Sequence, residues 1–250
     1  MKPLWILGAA ILLGLAGAAV WYVALRSPDI ALRDATLEPH GDGLALALTI
    51  DNAGPPDRLV EISTAAEGQL ILAGALFSEG LAIPAGASPK LAVDGAHGML
   101  TGLEGGTAPG RLIPVTLRFA QAGAVSTRAR IVEGMGESHG TTPYAVPEGE
   151  PVPSLSMTVT PEGDGWRVTL DTDNIAFDEA AVDGPHEPGH GHAHLYLDGL
   201  KLSRLYGPSY RIGALPPGSY EVRVALNTND HRAYEVNGEV IAASAQITVD

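Results

Sequence analysis

The chain of 250 residues carries 29 acidic and 15 basic residues, a net charge of −14, and no cysteine. The lack of cysteine excludes disulfides, thiolate metal sites and cysteine nucleophiles. A soft metal ligand therefore has to be one of the four methionines. The acidic balance disfavours nucleic acid and anionic lipid as partners, because both repel a negative surface.

Residues 3–25 form an uncharged apolar run, and about 20 such residues cross a bilayer as a helix. Aromatic residues of the interfacial type lie near its two ends, at Trp5, Trp21 and Tyr22. With Lys2 on the inner side, the run predicts a transmembrane anchor over residues 1–26 and a periplasmic location for the rest. The alternative is a cleaved signal peptide with an Ala-Gly-Ala cleavage motif at 16–18.

Beyond residue 26 the apolar residues alternate, or run unbroken, over strand lengths between Gly and Pro, without a sustained helical period. The strands predicted most strongly are 43–52, 111–120, 154–160, 165–172, 192–199 and 219–227. Asp198-Gly199 and Asn237-Gly238 are strong signals for two-residue hairpins. The exported part is therefore predicted to be all-β.

The segment 134–154 is rich in Gly, Pro and Ser and carries no periodic apolar pattern, which is typical of a linker. It separates two halves of about one hundred residues, each the size of a small β-sandwich. The predicted organisation is an anchor at 1–26, a first sandwich at 29–132, a linker at 133–153 and a second, Ig-like sandwich at 154–250.

Three stretches of the first half together resemble the periplasmic copper chaperone family PCuAC. They are DNAGPPDRLVEIST (51–64), GLAIPAGASPKLAVDGAHGMLTGL (80–103) and GRLIPVTLRFAQAGAVSTRARI (110–131). The resemblance covers residues 29–132. It implies a cupredoxin-like β-sandwich that holds Cu(I) for delivery to a copper enzyme.

The metal ligands of that family are an upstream His and Met and a His-x-Met pair. The pair is present here as His97 and Met99, whereas residues 41–96 contain no His and no Met. Positions i and i+2 of a strand face the same side, and imidazole and thioether both suit Cu(I). A third ligand has to come from elsewhere, and Met135 and His139 are the nearest candidates.

The second half concentrates histidines in the stretch GHGHAHLYLDG, residues 189–199. On a strand, His190, His192 and His194 share one face. The opposite face carries Ala193, Leu195 and Leu197, which are assigned to the core. A His-x-His pair is a common beginning of a copper or zinc site, and His231 is the predicted third ligand.

All-imidazole coordination suits Cu(II) and Zn(II) alike. The resemblance of the first half favours copper, and zinc is the alternative. Asp198 or Asp230 is expected to accept a hydrogen bond from a ligand imidazole and to fix its tautomer. Because a ligand imidazole has to be neutral, binding is expected to weaken as the pH falls through about 6.5.

These features predict a membrane-anchored periplasmic copper-binding protein, a chaperone or buffer that hands copper to an envelope partner. Catalysis is not indicated, since the chain lacks a GxSxG motif and a phosphate-binding glycine loop. The rival hypothesis is an assembly module without a metal, whose sandwiches contact another envelope protein.

If residues 1–26 form an uncleaved anchor, the full-length protein will sediment with membranes and resist extraction with alkaline carbonate. The physical reason is the length of the apolar run, which suffices to span the hydrocarbon core. Recovery of a soluble form that begins at Ala19 would instead favour cleavage after residue 18.

Overall fold

A computed structural model of the chain describes residues 29–75, 80–134 and 142–250. The predicted anchor at 1–26 and the ligand candidates Met135 and His139 lie outside these residues. Within the described part, no helix has the length and apolarity needed to cross a membrane.

The described residues are mostly β-strand, which confirms the all-β prediction, and they include one 3-10 turn at Glu179–Ala181. The strands described before residue 134 are β1 (Ile30–His40), β2 (Gly43–Asn52), β3 (Asp57–Thr64), β4 (Gln69–Ala73), β5 (Leu81–Ile83), β6 (Lys90–Leu91), β7 (His97–Thr101), β8 (Leu112–Phe119) and β9 (Gly123–Ile131). Those after residue 142 are β10 (Tyr144–Ala145), β11 (Ser154–Glu162), β12 (Gly165–Asp173), β13 (Ala176–Phe177), β14 (His190–Leu197), β15 (Leu200–Leu205), β16 (Ser209–Ile212), β17 (Gly218–Asn227), β18 (Tyr234–Val236), β19 (Glu239–Val240) and β20 (Ala242–Val249).

The two hairpins predicted from Asp-Gly and Asn-Gly are present. Asp198 and Gly199 have φ values of 50° and 85°, and Asn237 and Gly238 have 56° and 82°. A type I′ turn requires a positive φ at both central residues, and Asp, Asn and Gly adopt this conformation at low cost. The first turn connects β14 to β15, and the second connects β18 to β19.

One sheet continues from the first half of the chain into the second. In the described residues it contains 14 strands, with the main path β20-β17-β14-β15-β6-β2-β1-β9-β8-β3-β5. The halves meet where β6 pairs with β15, at Lys90 opposite Lys201. A single hydrophobic cluster also extends through both halves, with Leu46 and Leu195 among its fully buried members. The second half adds two three-stranded sheets, β10-β18-β19 and β11-β12-β16.

Backbone hydrogen bonds join the halves on either side of the β6–β15 pair. The N–H of Ala85 donates to the carbonyl of Ala214 at 2.9 Å, and the N–H of Ala96 donates to the carbonyl of Gly199 at 2.8 Å. Within the predicted linker, Tyr144–Ala145 pairs in parallel with the strand that begins at Tyr234. The predicted domain boundaries stay a prediction, but the halves share one sheet and a common core.

The contact between the halves predicts a stability difference between two glycine substitutions. A methyl group at Gly213 would overlap the carbonyl oxygen of Ala85 in the other half, whereas one at Gly207 would meet nothing within 4 Å. Neither glycine has a positive φ. We expect Gly213→Ala to lower the free energy of unfolding by about 1–3 kcal/mol through overpacking against backbone. Gly207→Ala should be neutral. Equal thermal midpoints for the two variants would contradict the observed contact.

Candidate metal centre

The histidine cluster depends on the register of the central strand β14. This strand pairs antiparallel with β15 on one side and with β17 on the other. The register places His192 opposite Asn227, the last residue of β17. The chain then turns back at once, and Asn227 bridges to Ala233. His231 lies in this turn with a φ of 68°, which brings its ring beside that of His192.

Three imidazoles converge on one point. A ring nitrogen of each of His192, His194 and His231 lies within 4.8 Å of the others, so the group could hold a metal ion. The Nε2 atoms of His192 and His194 are 2.8 Å apart. The ring of His231 is centred 4.9 Å from that of His192 and 5.8 Å from that of His194. The structure thus brings together three of the four second-half histidines that the sequence indicated.

The cluster is more buried than the sequence suggested. His192 and His194 are 0% and 1% exposed, whereas the side chain of His231 is 17% exposed. The sequence assigned only the face of Leu195 and Leu197 to the core. Leu195 and Leu197 are buried as predicted, but the expectation that the histidine face lies outside the core was wrong, because β14 is an inner strand and both of its faces are covered. An ion would therefore reach the cluster from the side of His231.

Asp94, from the first half of the chain, contacts His194. Its Oδ2 lies 3.0 Å from Nδ1 of His194 and accepts hydrogen bonds from Tyr196 Oη at 3.0 Å and Lys201 Nζ at 2.6 Å. Nδ1 of His194 also lies 3.2 Å from Oη of Tyr196, which gives its own proton to Asp94. Neither the carboxylate nor this hydroxyl oxygen has a proton to give to His194, so Nδ1 of His194 carries the proton. The lone pair of His194 is then on Nε2, the atom that faces His192.

A second carboxylate engages His231. Its Nε2 contacts Oδ1 of Asp183, which also accepts from Arg204 at 3.4 Å. The Nδ1 atom of His231 is buried and has no hydrogen-bond partner among the described residues. With the proton of Nε2 held by Asp183, Nδ1 is the nitrogen that His231 can offer to an ion. Carboxylates that fix imidazole tautomers in this way are usual around metal ligands.

The carboxylates suggested by the sequence have other contacts. Asp198 accepts a hydrogen bond from the backbone N–H of Glu221 at 2.7 Å. Asp230 accepts from Arg232 Nε at 3.0 Å and from the hydroxyl of Thr228. The expectation that Asp198 or Asp230 would orient a ligand imidazole was therefore wrong. The residues in that role, Asp94 and Asp183, lie far along the chain from the histidines that they contact, and no local pattern marks them.

His190 lies outside the group of three. It is the first residue of β14 and pairs with Ala176 of β13. Its carbonyl accepts a hydrogen bond from Tyr234 Oη at 2.9 Å, and its Nδ1 is buried without a partner among the described residues.

In the first half, His97 and Met99 both lie on β7, two residues apart. His97 is buried, and its Nδ1 lies 2.9 Å from the carbonyl oxygen of Gly95. The ring of His40 is centred 5.7 Å from that of His97. The sequence did not indicate His40, which is the last residue of β1.

Burial keeps the three imidazoles neutral. It lowers the pKa of His192 to about 2, with a further contribution from the neighbouring His194. It lowers the pKa of His194 to about 4, although the hydrogen bond with Asp94 acts in the opposite direction. It also lowers the pKa of His231, against the hydrogen bond with Asp183. Protons therefore compete with a metal ion for these nitrogens only well below pH 6.5. The ordinary pKa of histidine had predicted this competition at about pH 6.5.

Comparisons with known proteins find similarity to part of the chain. A family model described as "Putative lipoprotein LpqE-like" matches residues 30–131, nearly the segment 29–132 defined from the sequence. The copper-bound PCuAC domain from PmoF2 is 24% identical, with a TM-score of 0.37, over 42% of this chain and 93% of that domain. The apo PCuAC domain from PmoF1 is 24% identical, with a TM-score of 0.38, over 42% and 94%. The search of curated proteins finds no match.

The depressed histidine pKa values predict that the metal-free protein loses stability in mild acid. The unfolded chain takes up protons near pH 6.5, whereas folded His192 and His194 take them up only at about 2 and about 4. Their contribution is complete above pH 6.5 and decreases as the pH falls towards 4. By pH 5 the loss is on the order of 2 kcal/mol for each histidine. Urea denaturation with EDTA at pH 7 and pH 5 measures it. An unchanged midpoint would contradict the buried, neutral state of these rings.

Proposed function

We propose that the protein binds copper through His192, His194 and His231 and acts as a copper chaperone or buffer on the outer side of the inner membrane. The observation that carries the proposal is the convergence of three ring nitrogens within 4.8 Å in the protein interior. Ordinary burial of histidine gives no reason for three imidazoles to meet at one point.

The tautomers support the same conclusion. Nδ1 of His194 contacts Asp94 and Tyr196, which leaves its Nε2 facing His192. Nε2 of His231 contacts Asp183, and its Nδ1 is buried with no hydrogen-bond partner among the described residues. The Nε2 atoms of His192 and His194 lie 2.8 Å apart, and the lone pair on His194 allows at most one proton between them. An ion that replaces this proton would bind both nitrogens. Three imidazoles leave a fourth tetrahedral position for water or for a ligand from a partner.

Copper is preferred to zinc for two reasons. The first half carries the His97 and Met99 pair, and a thioether favours Cu(I) over Zn(II). The same half resembles the PCuAC copper chaperones in its sequence motifs, and the proposal therefore includes a cupredoxin-like first sandwich. It also includes an Ig-like second sandwich. The trihistidine group by itself accepts Cu(II) and Zn(II), and zinc is the competing ion.

Release of the ion to a partner would begin at His231. This ligand lies in a turn and is the most exposed of the three, whereas His192 and His194 belong to an inner strand. A ligand from a copper-accepting envelope protein would first displace His231 and then draw the ion away from the pair behind it. The order follows from the burial of the three side chains.

The envelope location rests on the N-terminal apolar run and on the family that matches the first half, whose description names a lipoprotein. Because the 250 residues contain no cysteine, a thiol-linked lipid cannot be attached to them. The proposal therefore assigns membrane attachment to residues 1–26.

The proposal predicts one tightly bound copper ion per chain and its loss when a ligand is removed. His231→Asn deletes one ligand, and asparagine tolerates the positive φ of this position. We expect the affinity to fall by about two orders of magnitude, since four ligands together contribute about 10–16 kcal/mol in small zinc sites. The double variant His192→Ala with His194→Ala should bind no tight ion, at a cost in stability because both rings are buried.

The measurements are metal analysis of the untagged protein and competition with a chelator, with copper and zinc offered in separate samples. His186→Gln is a matched control. His186 is partly buried and also lies beside a carboxylate, 3.1 Å from Glu150, but it does not belong to the cluster. Wild-type copper binding in His231→Asn and in the double variant would refute the proposed site. Preference for zinc at equal concentrations would refute the choice of copper.

A further inference from the structure

One of the two carboxylates that contact the metal centre, Asp94, belongs to the half of the chain that contributes no ligand to it. Asp94 lies in the turn between β6 and β7, three residues before His97. Three polar groups of the second half lie within 3.0 Å of its Oδ2: Nδ1 of His194 at 3.0 Å, Oη of Tyr196 at 3.0 Å and Nζ of Lys201 at 2.6 Å. The side chains of Asp94, Lys201 and His194 are 26%, 10% and 1% exposed.

Backbone contacts hold the turn of Asp94 against the metal half. The N–H of Ala96 donates to the carbonyl of Gly199 at 2.8 Å. A methyl group added to Gly95 would overlap that same carbonyl and would lie 3.2 Å from the ring of Tyr196. The turn is itself closed by the N–H of Gly95, which donates to the carbonyl of Ala92 at 2.9 Å. The position of the carboxylate is therefore set by main-chain packing between the halves.

Asp94 has a cationic partner in this setting, because Nζ of Lys201 lies 2.6 Å from its Oδ2. A carboxylate behind a ligand imidazole fixes the tautomer and increases the basicity of the coordinating nitrogen.

We infer that Asp94 is a positioning residue for the metal centre, so that the first half of the chain sets the affinity of a site whose ligands all lie in the second half. The inference rests on the proposed function of the trihistidine cluster. Together with Oη of Tyr196, Asp94 holds the proton on Nδ1 of His194 and keeps Nε2 of that ring directed at the ion. Tyr196 and Lys201 hold the carboxylate in place.

The test compares the full-length wild-type chain with three variants, with copper and zinc as probes. Asp94→Ala removes both the charge and the acceptor, and its affinity should fall by about 10–100-fold. Asp94→Asn retains an oxygen that can accept from Nδ1 of His194, and it should recover part of the loss. Asp57→Asn is the control. Asp57 is also a buried carboxylate of the first half, but it accepts backbone N–H groups of Arg58, Gln121 and Ala122. Its loss should lower stability without changing the affinity.

A second readout reports the tautomer directly. In the zinc-loaded protein, nitrogen NMR of the imidazoles should show His194 protonated at Nδ1 and coordinated at Nε2. In Asp94→Ala the Nδ1 proton should exchange faster with water. This measurement distinguishes a positioning role of Asp94 from a general loss of folding. If Asp94→Ala does not fold, the same measurement is made on Asp94→Asn.

The outcomes of the inference and of the proposed function are distinct. If the wild type binds neither copper nor zinc tightly, the proposed function fails. If the wild type binds but the two Asp94 variants retain its affinity and its Nδ1 proton exchange, the inference alone is overturned. An equal loss of affinity in Asp57→Asn would also overturn it, because the effect would then follow from stability.

Discussion

The site depends on one constraint: two imidazoles buried in the interior of a β-sheet have to stay uncharged. His192 and His194 lie on β14, which is paired on both edges and covered on both faces. Burial of an imidazolium would be costly, so the pKa values of both rings fall and the rings stay neutral. Neutral imidazole is also the form that binds a metal ion. Burial in the sheet therefore keeps both imidazoles in the form that can bind a metal ion.

The same constraint explains the surroundings of the cluster. Buried polar atoms need partners, and Nδ1 of His194 and Nε2 of His231 find them in Asp94 with Tyr196 and in Asp183. Nδ1 of His192 is buried with no such partner among the described residues. The carboxylate of Asp94 is in turn neutralised by Lys201, so the group forms a connected network rather than an isolated buried charge. This network crosses between the halves, where the sheet is also continuous.

The sequence predicted the strands and the clustering of the histidines better than it predicted the residues around them. Period-two alternation gave 43–52 as a strand, and the structure has Gly43–Asn52. His192, His194 and His231 were indicated because a His-x-His pair on a strand and a histidine just after another strand can meet in an antiparallel sheet. The pairing register of β14 with β17 then places them together. Each of these inferences uses information from a few neighbouring residues.

The remaining features depend on contacts over long distances along the chain. Nothing near Asp94 in the sequence indicates that it contacts His194, one hundred residues away, because that contact results from the packing of one half on the other. The burial of both faces of β14 has the same origin, since alternation within a single strand does not reveal what covers its polar face. The pH dependence follows from burial, and an ordinary histidine pKa could not predict it.

The most direct measurement is a crystal structure of the copper-loaded full-length chain, with anomalous data collected at the copper absorption edge. We expect one strong peak about 2 Å from Nε2 of His192, Nε2 of His194 and Nδ1 of His231, with Asp94 still in contact with Nδ1 of His194. A peak only at His97 and Met99 or on the surface, with the three imidazoles free of metal, would contradict it.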